Sequence, residues 1–465
     1  MRQAEENRQA LARVEEELAA LKGQLAAAQT GTDAAKAELE ARSGAVAASA
    51  AREEVLARRL GVLEAKQDAK PRVAASAPGL RLTGYAQLDY VNRQSSIDEV
   101  NSATGDPLNE NRFSLRRSRL KMTLERGMVA GLLELDANTV KGAQVRPIGM
   151  EATLRWPPSG EAQEPPLAAL TLGLFKIPFG FEVLQSDMER LFMERSTVIR
   201  ALFPGEFDLG ARFAGAWRFV RYAVAVQNGE PMGERTFPGR DPNDAKDVTG
   251  RVGVSFDDVQ PVGFSGGVSA LVGKGFHKGT PATKPAIYWQ DRNENGVFDA
   301  GELQATPGAA GQPSASFSRH AFGADGRLAI AVPRLGRLTL GGEVVFAKNL
   351  DRAILIADPL GPAGRDLREL GFNAFVLQEL GAHVVVGFRF DSYDPDRDST
   401  DTQAGVVVPA SSLYRTWAVA AALQSSAGRL MVEYDVNRNH NGRDAAGLPV
   451  NLADNAFTLR GEVRF

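Results

Sequence analysis

From Leu80 to its last residue, the chain repeats short segments in which apolar and polar residues alternate. The final segment shows the pattern over nine residues: Phe457, Leu459, Gly461, Val463 and Phe465 share one face, and Thr458, Arg460, Glu462 and Arg464 share the other. Because successive side chains of a β-strand point to opposite sides, this spacing predicts strands with one apolar and one wet face. An exposed apolar edge of this kind would be an aggregation hazard in a soluble protein.

Sixteen such segments are found, and their connections alternate in length. They begin near residues 80, 111, 128, 144, 168, 207, 219, 246, 262, 317, 335, 369, 381, 412, 427 and 455. Short connections include 125–127, 333–336 and 425–428; long ones include 93–110, 177–206, 229–245, 275–316, 349–367, 394–411 and 439–454. Short turns at one end and long loops at the other are typical of bacterial outer-membrane barrels, and sixteen strands leave room for an aqueous channel. The terminal Phe465 resembles the assembly signal of such barrels. We therefore predict an all-β transmembrane barrel of about 16 antiparallel strands over residues 80–465, located in the outer membrane.

The N-terminal part has a different period. Between Leu11 and Leu63 apolar residues recur at alternating spacings of three and four, and twelve of the sixteen core positions of the eight heptads are apolar when Ala is counted. This regularity favours a coiled coil over the alternative, a lone solvated helix. We predict a periplasmic α-helical coiled coil over residues 1–67, and the helix-breaking stretch 68–79 is predicted to be a linker.

Composition excludes several classes of function. The chain has 465 residues and a formal net charge of −3, so it lacks the excess of basic residues typical of nucleic-acid-binding proteins. It has no cysteine, which excludes disulfides, thiol catalysis and thiolate metal sites. Its four histidines are far apart in sequence, and no run of 18 apolar residues predicts a membrane helix. An outer-membrane protein needs an export signal, and residues 1–6 lack its apolar core; we expect either that the signal was removed or that the assigned start codon is internal.

Three segments carry a resemblance to a known family. They are NRFSLRRSRL at residues 111–120, LGLFKIPFGFE at residues 172–182 and FMERS at residues 192–196. Together they resemble the second strand, the G-x-F-K-x-P-F-G-x-E segment and the F-M-E-R-S element of the phosphate-selective porin O and P family. The resemblance implies a trimeric barrel of sixteen strands whose third loop, here about residues 177–206, folds inward to narrow the pore.

Alternation also predicts which side chains face the lumen. On the second strand Arg117, Arg119 and Lys121 share the wet face, whereas Arg116 falls on the wrong phase and requires a bulge. Charged rings set the ion preference of pores, so this cationic cluster is the best candidate for contact with anions. The residues predicted to line the pore are Arg116, Arg117, Arg119, Lys121, Lys176, Asp187, Glu189, Arg190, Arg195, Arg212 and Arg251.

The predicted constriction loop departs from the family. The resemblance implies a lysine and neighbouring serines that hold phosphate, but residues 185–190 read QSDMER. Asp187 and Glu189 would repel anions if they faced the pore, while Arg190 and Arg195 would compensate. We therefore expect modest anion preference or general diffusion rather than strict phosphate selectivity.

One long loop contains a calcium-binding pattern. Residues 291–302 (DRNENGVFDAGE) match an EF-hand loop at each diagnostic position, including Gly296 at the sharp turn. The predicted Ca²⁺ ligands are Asp291, Asn293, Asn295, the Val297 carbonyl, Asp299 and Glu302. The alternative is an acidic, Asn-rich loop tip without a metal.

Three functions are compatible with these features. The first is a homotrimeric porin for passive diffusion of small hydrophilic solutes and anions, with Ca²⁺ in a loop. The second is a structural anchor whose coiled coil tethers the outer membrane to the cell wall. The third, a barrel enzyme such as a lipid hydrolase, lacks a recognisable set of Ser, His and acid, so the chain is predicted not to be an enzyme.

Overall fold

The computed structural model describes Lys22 and residues 79–94, 111–140, 142–157, 165–231, 241–256, 261–361, 364–403, 405–440, 442–443 and 448–465. The predicted coiled coil, apart from Lys22, and the predicted linker, apart from Gly79, lie outside the described residues. The domain boundaries 1–67, 68–79 and 80–465 therefore stay predictions.

Sixteen antiparallel strands close into a barrel, which confirms the predicted fold class for the described part of the chain. The barrel strands are β1 (Leu80–Arg93), β2 (Asn111–Arg126), β3 (Val129–Asn138), β4 (Gln144–Trp156), β5 (Ala168–Lys176), β6 (Phe207–Trp217), β7 (Val220–Gln227), β8 (Asp247–Ser255), β9 (Val262–His277), β12 (Ala315–Val332), β13 (Gly336–Lys348), β14 (Arg368–Leu380), β15 (Val384–Asp394), β18 (Tyr414–Gln424), β19 (Gly428–Arg438) and β22 (Ala456–Arg464). Each strand pairs with its neighbours in chain order, and β22 pairs with β1 to close the ring.

Most connections segregate by length as the sequence predicts, with two exceptions: 139–143, after β3, is short, and 157–167, after β4, is long. Those that follow β2, β6, β12, β14 and β18 have only two or three residues, and all lie at one end of the barrel, the short-turn end. The long-loop end carries three hairpins: β10 (Ala286–Trp289) with β11 (Leu303–Thr306), β16 (Thr400–Gln403) with β17 (Val406–Pro409), and β20 (Gly442–Arg443) with β21 (Pro449–Val450). One short helix, α1 (Thr197–Leu202), is described, and it belongs to the loop between β5 and β6.

The outer face of the barrel is apolar all the way round. Each of the sixteen strands exposes at least one large apolar side chain; examples are Phe113, Trp156, Phe213, Val268, Phe346, Val419 and Val463. Such a band is incompatible with water and matches the lipid-facing surface of a membrane barrel. Among the described residues, no helix is long and apolar enough to cross a membrane.

A bulge in β2 accounts for the phase of Arg116. Gln87 pairs with Arg117 and Leu88 pairs with Leu115, so Arg116 is the extra residue on the bulged strand. A bulge places two residues opposite one and re-aims a side chain. Arg116 thereby joins Arg117 in pointing into the barrel, where both contact Glu194.

The last residue seals the junction between β22 and β1. Phe465 and Gly84 exchange backbone hydrogen bonds of 3.0 and 2.8 Å. The Phe465 ring lies against Gly84 so closely that a Cβ atom there would be 2.4 Å from the ring's Cζ. The terminal aromatic therefore needs a glycine on the neighbouring strand in order to pack.

Candidate functional site

The loop of residues 177–206 folds into the barrel and is bound to its inner wall through its backbone. Gly180 has a φ of +60° and its backbone N–H donates to Ser269 Oγ of β9 at 3.0 Å. The N–H groups of Phe181 and Glu182 donate to Glu343 Oε2 of β13 at 3.2 and 3.0 Å. A Cβ at Gly180 would lie 1.8 Å from the Glu343 carboxylate, so only glycine permits this approach.

Further along, arginines from the barrel wall satisfy the carbonyl oxygens of the loop. A loop without strand partners leaves such groups unpaired, and burial makes an unpaired group costly. Arg464 donates to the carbonyl oxygen of Met188 at 2.8 Å, and Arg429 donates to that of Arg190 at 3.1 Å. Arg460 donates to the carbonyl oxygen of Met193 at 3.0 Å, and Arg389 donates to that of Glu194 at 2.8 Å. These contacts fix the path of the loop across the lumen.

Two apolar contact areas on the inner wall, which we call seats, also hold the loop. Val198, Ile199 and Leu202 of α1 belong to one cluster with wall residues such as Val345 and Tyr393. The second cluster joins loop residues Leu191, Phe192 and Met193 to wall residues Ala418, Ala420, Ala422 and Met431. Sequence reasoning missed these seats, although the run Trp417–Leu423 is apolar on both strand faces, which is the pattern of a strand buried on both sides.

At the centre of the loop, one carboxylate is enclosed by four arginines. Asp187 lies 2.8 Å from Arg119 Nη2, 3.3 Å from Arg117 Nε and 3.3 Å from Arg195 Nη2, and it also pairs with Arg190. The Asp187 side chain has no exposed area. We call these five residues the Asp187 clamp. The clamp ties the loop to β2, and its acid has no access to a passing solute.

Two further carboxylates extend this ionic contact, and neither was singled out from the sequence. Glu194 pairs with Arg116 at 2.6 Å and with Arg117 at 3.3 Å, and Glu206 pairs with Arg195 at 2.6 Å. Burial raises the pKa of both carboxyls, but the surrounding cations, led by Arg116 at Glu194 and by Arg195 at Glu206, together outweigh it and hold each pKa well below its ordinary value. Both acids are therefore ionised at neutral pH, and the stabilisation they provide is lost only as the pH falls below their ordinary range.

The structure thus separates the residues that were predicted to line the pore into two groups. The first group is spent on holding the loop: Arg116, Arg117, Arg119, Lys176, Asp187, Arg190 and Arg195. Lys176 belongs to it because it pairs with Glu206 at 3.0 Å and donates to Gln185 O at 2.8 Å. The second group, Lys121, Glu189, Arg212 and Arg251, keeps some exposure inside the barrel.

The exposed group defines the wet part of the lumen. Arg212 pairs with Glu151 at 2.9 Å and is still 20% exposed, and Arg251 pairs with Asp325 and is 17% exposed. Lys121 is partly exposed and has no ion pair within 4.0 Å among the residues that the structure describes. Glu189, two residues from the enclosed Asp187, is exposed on the loop. A solute in the lumen therefore meets these charges, together with the partly exposed Arg116, Lys176 and Glu194, rather than the clamp.

The predicted calcium loop lies between β10 and β11. Gly296 has a φ of +70°, and the backbone N–H groups of Asn295 and Gly296 donate to the Asp291 carboxylate at 3.2 and 2.7 Å. The Glu302 carboxylate accepts hydrogen bonds from Trp289 Nε1 and from the backbone N–H of Arg292, both at 3.1 Å. Among the described residues, no three acidic or histidine side chains are grouped closely enough to hold a metal ion by themselves. The amide and backbone oxygens of the loop would have to complete any such site.

Residues 90–232 match the family model described as phosphate-selective porin O and P, which confirms the resemblance over that part of the chain. No curated protein matches the chain in sequence.

Similar solved structures include the outer membrane channel DcaP of Acinetobacter baumannii, with 10% identity, a TM-score of 0.49 and coverage of 83% of this chain and 97% of that one. An anion-selective porin from Comamonas acidovorans has 10% identity and a TM-score of 0.49 over 83% and 99%. The trimer form of OmpT from Vibrio cholerae has 7% identity and a TM-score of 0.48 over 83% and 99%.

Proposed function

We propose, on the premise of the porin O and P match over residues 90–232, that the chain is an outer-membrane channel for passive diffusion with a modest preference for anions. The family match and the closed barrel with its apolar outer band support the outer-membrane location. The observation that carries the proposal is the loop 177–206. It is bound to many strands inside the barrel, so it narrows a lumen whose remaining walls carry many polar and charged side chains.

The preference for anions follows from which charges the solute meets. The acid of the clamp is enclosed by arginines and contributes no exposed negative charge. Lys121 has no paired acid among the described residues, and Arg212 and Arg251 each face one acid. Exposed Glu189 opposes these cations. These three cations and three acids cancel, so the expected anion preference is small and rests on the excess of four arginines over one carboxylate around Asp187. Such a preference favours chloride and phosphate alike over strict selection of phosphate.

Lys121 gives the cleanest test of this preference. Lys121→Gln removes a partly exposed cation that anchors nothing, so the reversal potential in a salt gradient is expected to move toward cations by a modest amount. The unfolding temperature is expected to stay the same, because surface charges without partners contribute little to stability. Lys121→Arg, which keeps the charge, is the control and should leave the potential unchanged. An unchanged potential in Lys121→Gln would exclude this residue from the anion path.

We also propose a homotrimer, as the resemblance implies, with residues 1–67 as a parallel trimeric coiled coil. Three converging chains would supply the partner that the heptad pattern needs, since its mixture of Leu, Val and Ala does not set the number of helices by itself. Chemical cross-linking of the full chain in detergent is expected to give trimers. Cross-linked products that stop at monomers or dimers would contradict the proposal.

A third proposal concerns residues 291–302, which we infer bind Ca²⁺. The loop follows the spacing of an EF-hand, and the hydrogen bonds of Asp291 and Glu302 already hold these carboxylates within one compact turn. The Trp289 indole N–H donates a hydrogen bond to the Glu302 carboxylate at 3.1 Å, which orients this side chain within the loop. The hairpin β10–β11, rather than two helices, would carry the ion.

Calorimetry of the full chain tests the calcium proposal. Extracellular loops of this type bind Ca²⁺ at about 10⁻⁴–10⁻³ M, so binding is expected at millimolar concentrations. Glu302→Gln removes the bidentate ligand at position 12 and is expected to weaken binding about tenfold or more. Glu294→Gln, at a position of the same loop that provides no ligand, is the matched control. Absence of heat from the unsubstituted chain at millimolar Ca²⁺ would overturn the assignment.

A further inference from the structure

The inner wall is apolar where β14 and β15 approach the short-turn end. Phe375, Leu377 and Val385, which we call the apolar wall, are only partly buried and extend the seat of the loop beyond the loop itself. Two glycines make room for them. A Cβ at Gly341 would lie 2.4 Å from Phe375 Cζ, and one at Gly387 would lie 2.6 Å from Leu377 Cδ2. The two glycines on the neighbouring strands thus leave room for the bulky side chains of Phe375 and Leu377.

An aromatic pair and a cation border the apolar wall. Phe181 of the loop stacks on Phe375, with ring centroids 6.3 Å apart and an angle of 23° between planes. The Arg327 guanidinium of β12 lies over the Phe181 ring at 5.5 Å. This arrangement places a positive charge beside apolar surface inside the barrel. Such an arrangement suits a ligand with a flat apolar body and one negative end, because the body can pack on the aromatic rings while the negative end lies near the guanidinium.

The opposite side of the lumen is polar. In a closed ring of sixteen strands, strands eight places apart face each other, so β2 faces β12 and β6 faces β18. Lys121 of β2 and Arg212 of β6 therefore lie across the lumen from the side that carries the apolar wall. A passing solute meets Lys121 and Arg212 on one side and, on the other, the apolar wall with Arg327 beside it.

Apolar side chains that face water are stabilised when an apolar group covers them, in proportion to the area removed from water. The loop covers Ala418, Ala420 and Ala422 completely but leaves the apolar wall partly uncovered. We propose that the covering group is the solute, and that the channel favours organic anions with an aromatic or other flat apolar body over small hydrophilic anions of equal charge. This inference rests on the proposed channel function and specifies its class of solute.

Bi-ionic measurements with sodium benzoate and sodium acetate test the proposal, since both anions carry one carboxylate and differ in the ring. In a purely wet pore the smaller acetate would pass faster. The chain is expected to pass benzoate at least as well as acetate. A permeability ratio of benzoate to acetate well below one would overturn the proposal.

Substitutions in the apolar wall give the second arm. Phe375→Ser with Leu377→Ser is expected to lower the ratio of benzoate to acetate about threefold or more, since it removes most of the apolar surface. The chloride conductance of each variant is measured in parallel, because Phe375 also stacks on Phe181 of the loop and its loss removes that contact. Phe375→Leu, which keeps the volume apolar, serves if the double variant does not fold, and it should lower the ratio by a smaller factor. Phe372→Leu, on the lipid-facing side of the same strand, is the matched control.

The outcomes separate this inference from the proposed function. No conductance in potassium chloride would overturn both. A conducting channel whose ratio is unchanged by the substitutions at Phe375 and Leu377 would overturn only the class of solute. A fall in the ratio that occurs equally in the control at Phe372 would assign the effect to general loosening of β14 and would also overturn it.

Discussion

Asp187→Asn is expected to raise both the conductance and the anion preference of the channel more than any other single change of charge in the lumen. The carboxylate holds Arg117, Arg119, Arg190 and Arg195 together, and its loss leaves four buried guanidinium groups with less negative charge between them. Breaking a buried ion pair by removing one partner costs about 3–5 kcal/mol. The loop should therefore detach partly from β2, widen the passage and expose its arginines to the solute.

Single-channel recording of Asp187→Asn in a potassium chloride gradient measures both effects. The matched control is Glu189→Gln, which makes the same change of charge two residues away on an exposed side chain. It is expected to shift the reversal potential slightly toward anions and to leave conductance and thermal stability unchanged. Equal responses from the two variants would show that Asp187 is not enclosed as the structure places it.

Replacing Arg117 and Arg119 together with Gln is expected to have the opposite effect on selectivity. The change removes two of the four partners of Asp187 and one partner of Glu194, so negative charge within the loop is no longer balanced. The reversal potential should move strongly toward cations. The unfolding temperature should fall as well, because these contacts tie the loop to the barrel wall.

The control for this double variant keeps the charge and changes the geometry. Arg117→Lys with Arg119→Lys retains both cations but loses the planar fork that reaches two carboxylates at once. It should preserve the sign of selectivity while losing part of the stability. An unchanged reversal potential in the Gln variant would mean that these arginines have no influence on permeating ions.

The strands were predictable because their signal is local. Alternation of apolar and polar residues reports directly which face meets lipid, and each of the sixteen predicted segments corresponds to a barrel strand. The break of phase at Arg116 predicted a bulge for the same reason, since one extra residue shifts every later side chain to the other face. The inward course of the loop 177–206 was predicted only from the family resemblance.

The pairing inside the barrel could not be predicted, because it joins residues far apart in sequence. Nothing near Asp187 in the sequence indicates that Arg117 and Arg119 enclose it, so this acid was predicted to face the pore together with Glu189. The same holds for Arg460, whose guanidinium reaches Asp89 at 2.7 Å and the carbonyl of Met193 at 3.0 Å. Only the closure of the barrel brings these groups together.

Recording of the purified full chain in a planar lipid bilayer, with unequal potassium chloride on the two sides, tests the central claim most directly. The proposed channel predicts discrete conductance steps and a reversal potential displaced moderately toward that of chloride. A reversal potential on the potassium side would contradict the anion preference. A bilayer that stays silent although the folded barrel has inserted would contradict the channel itself.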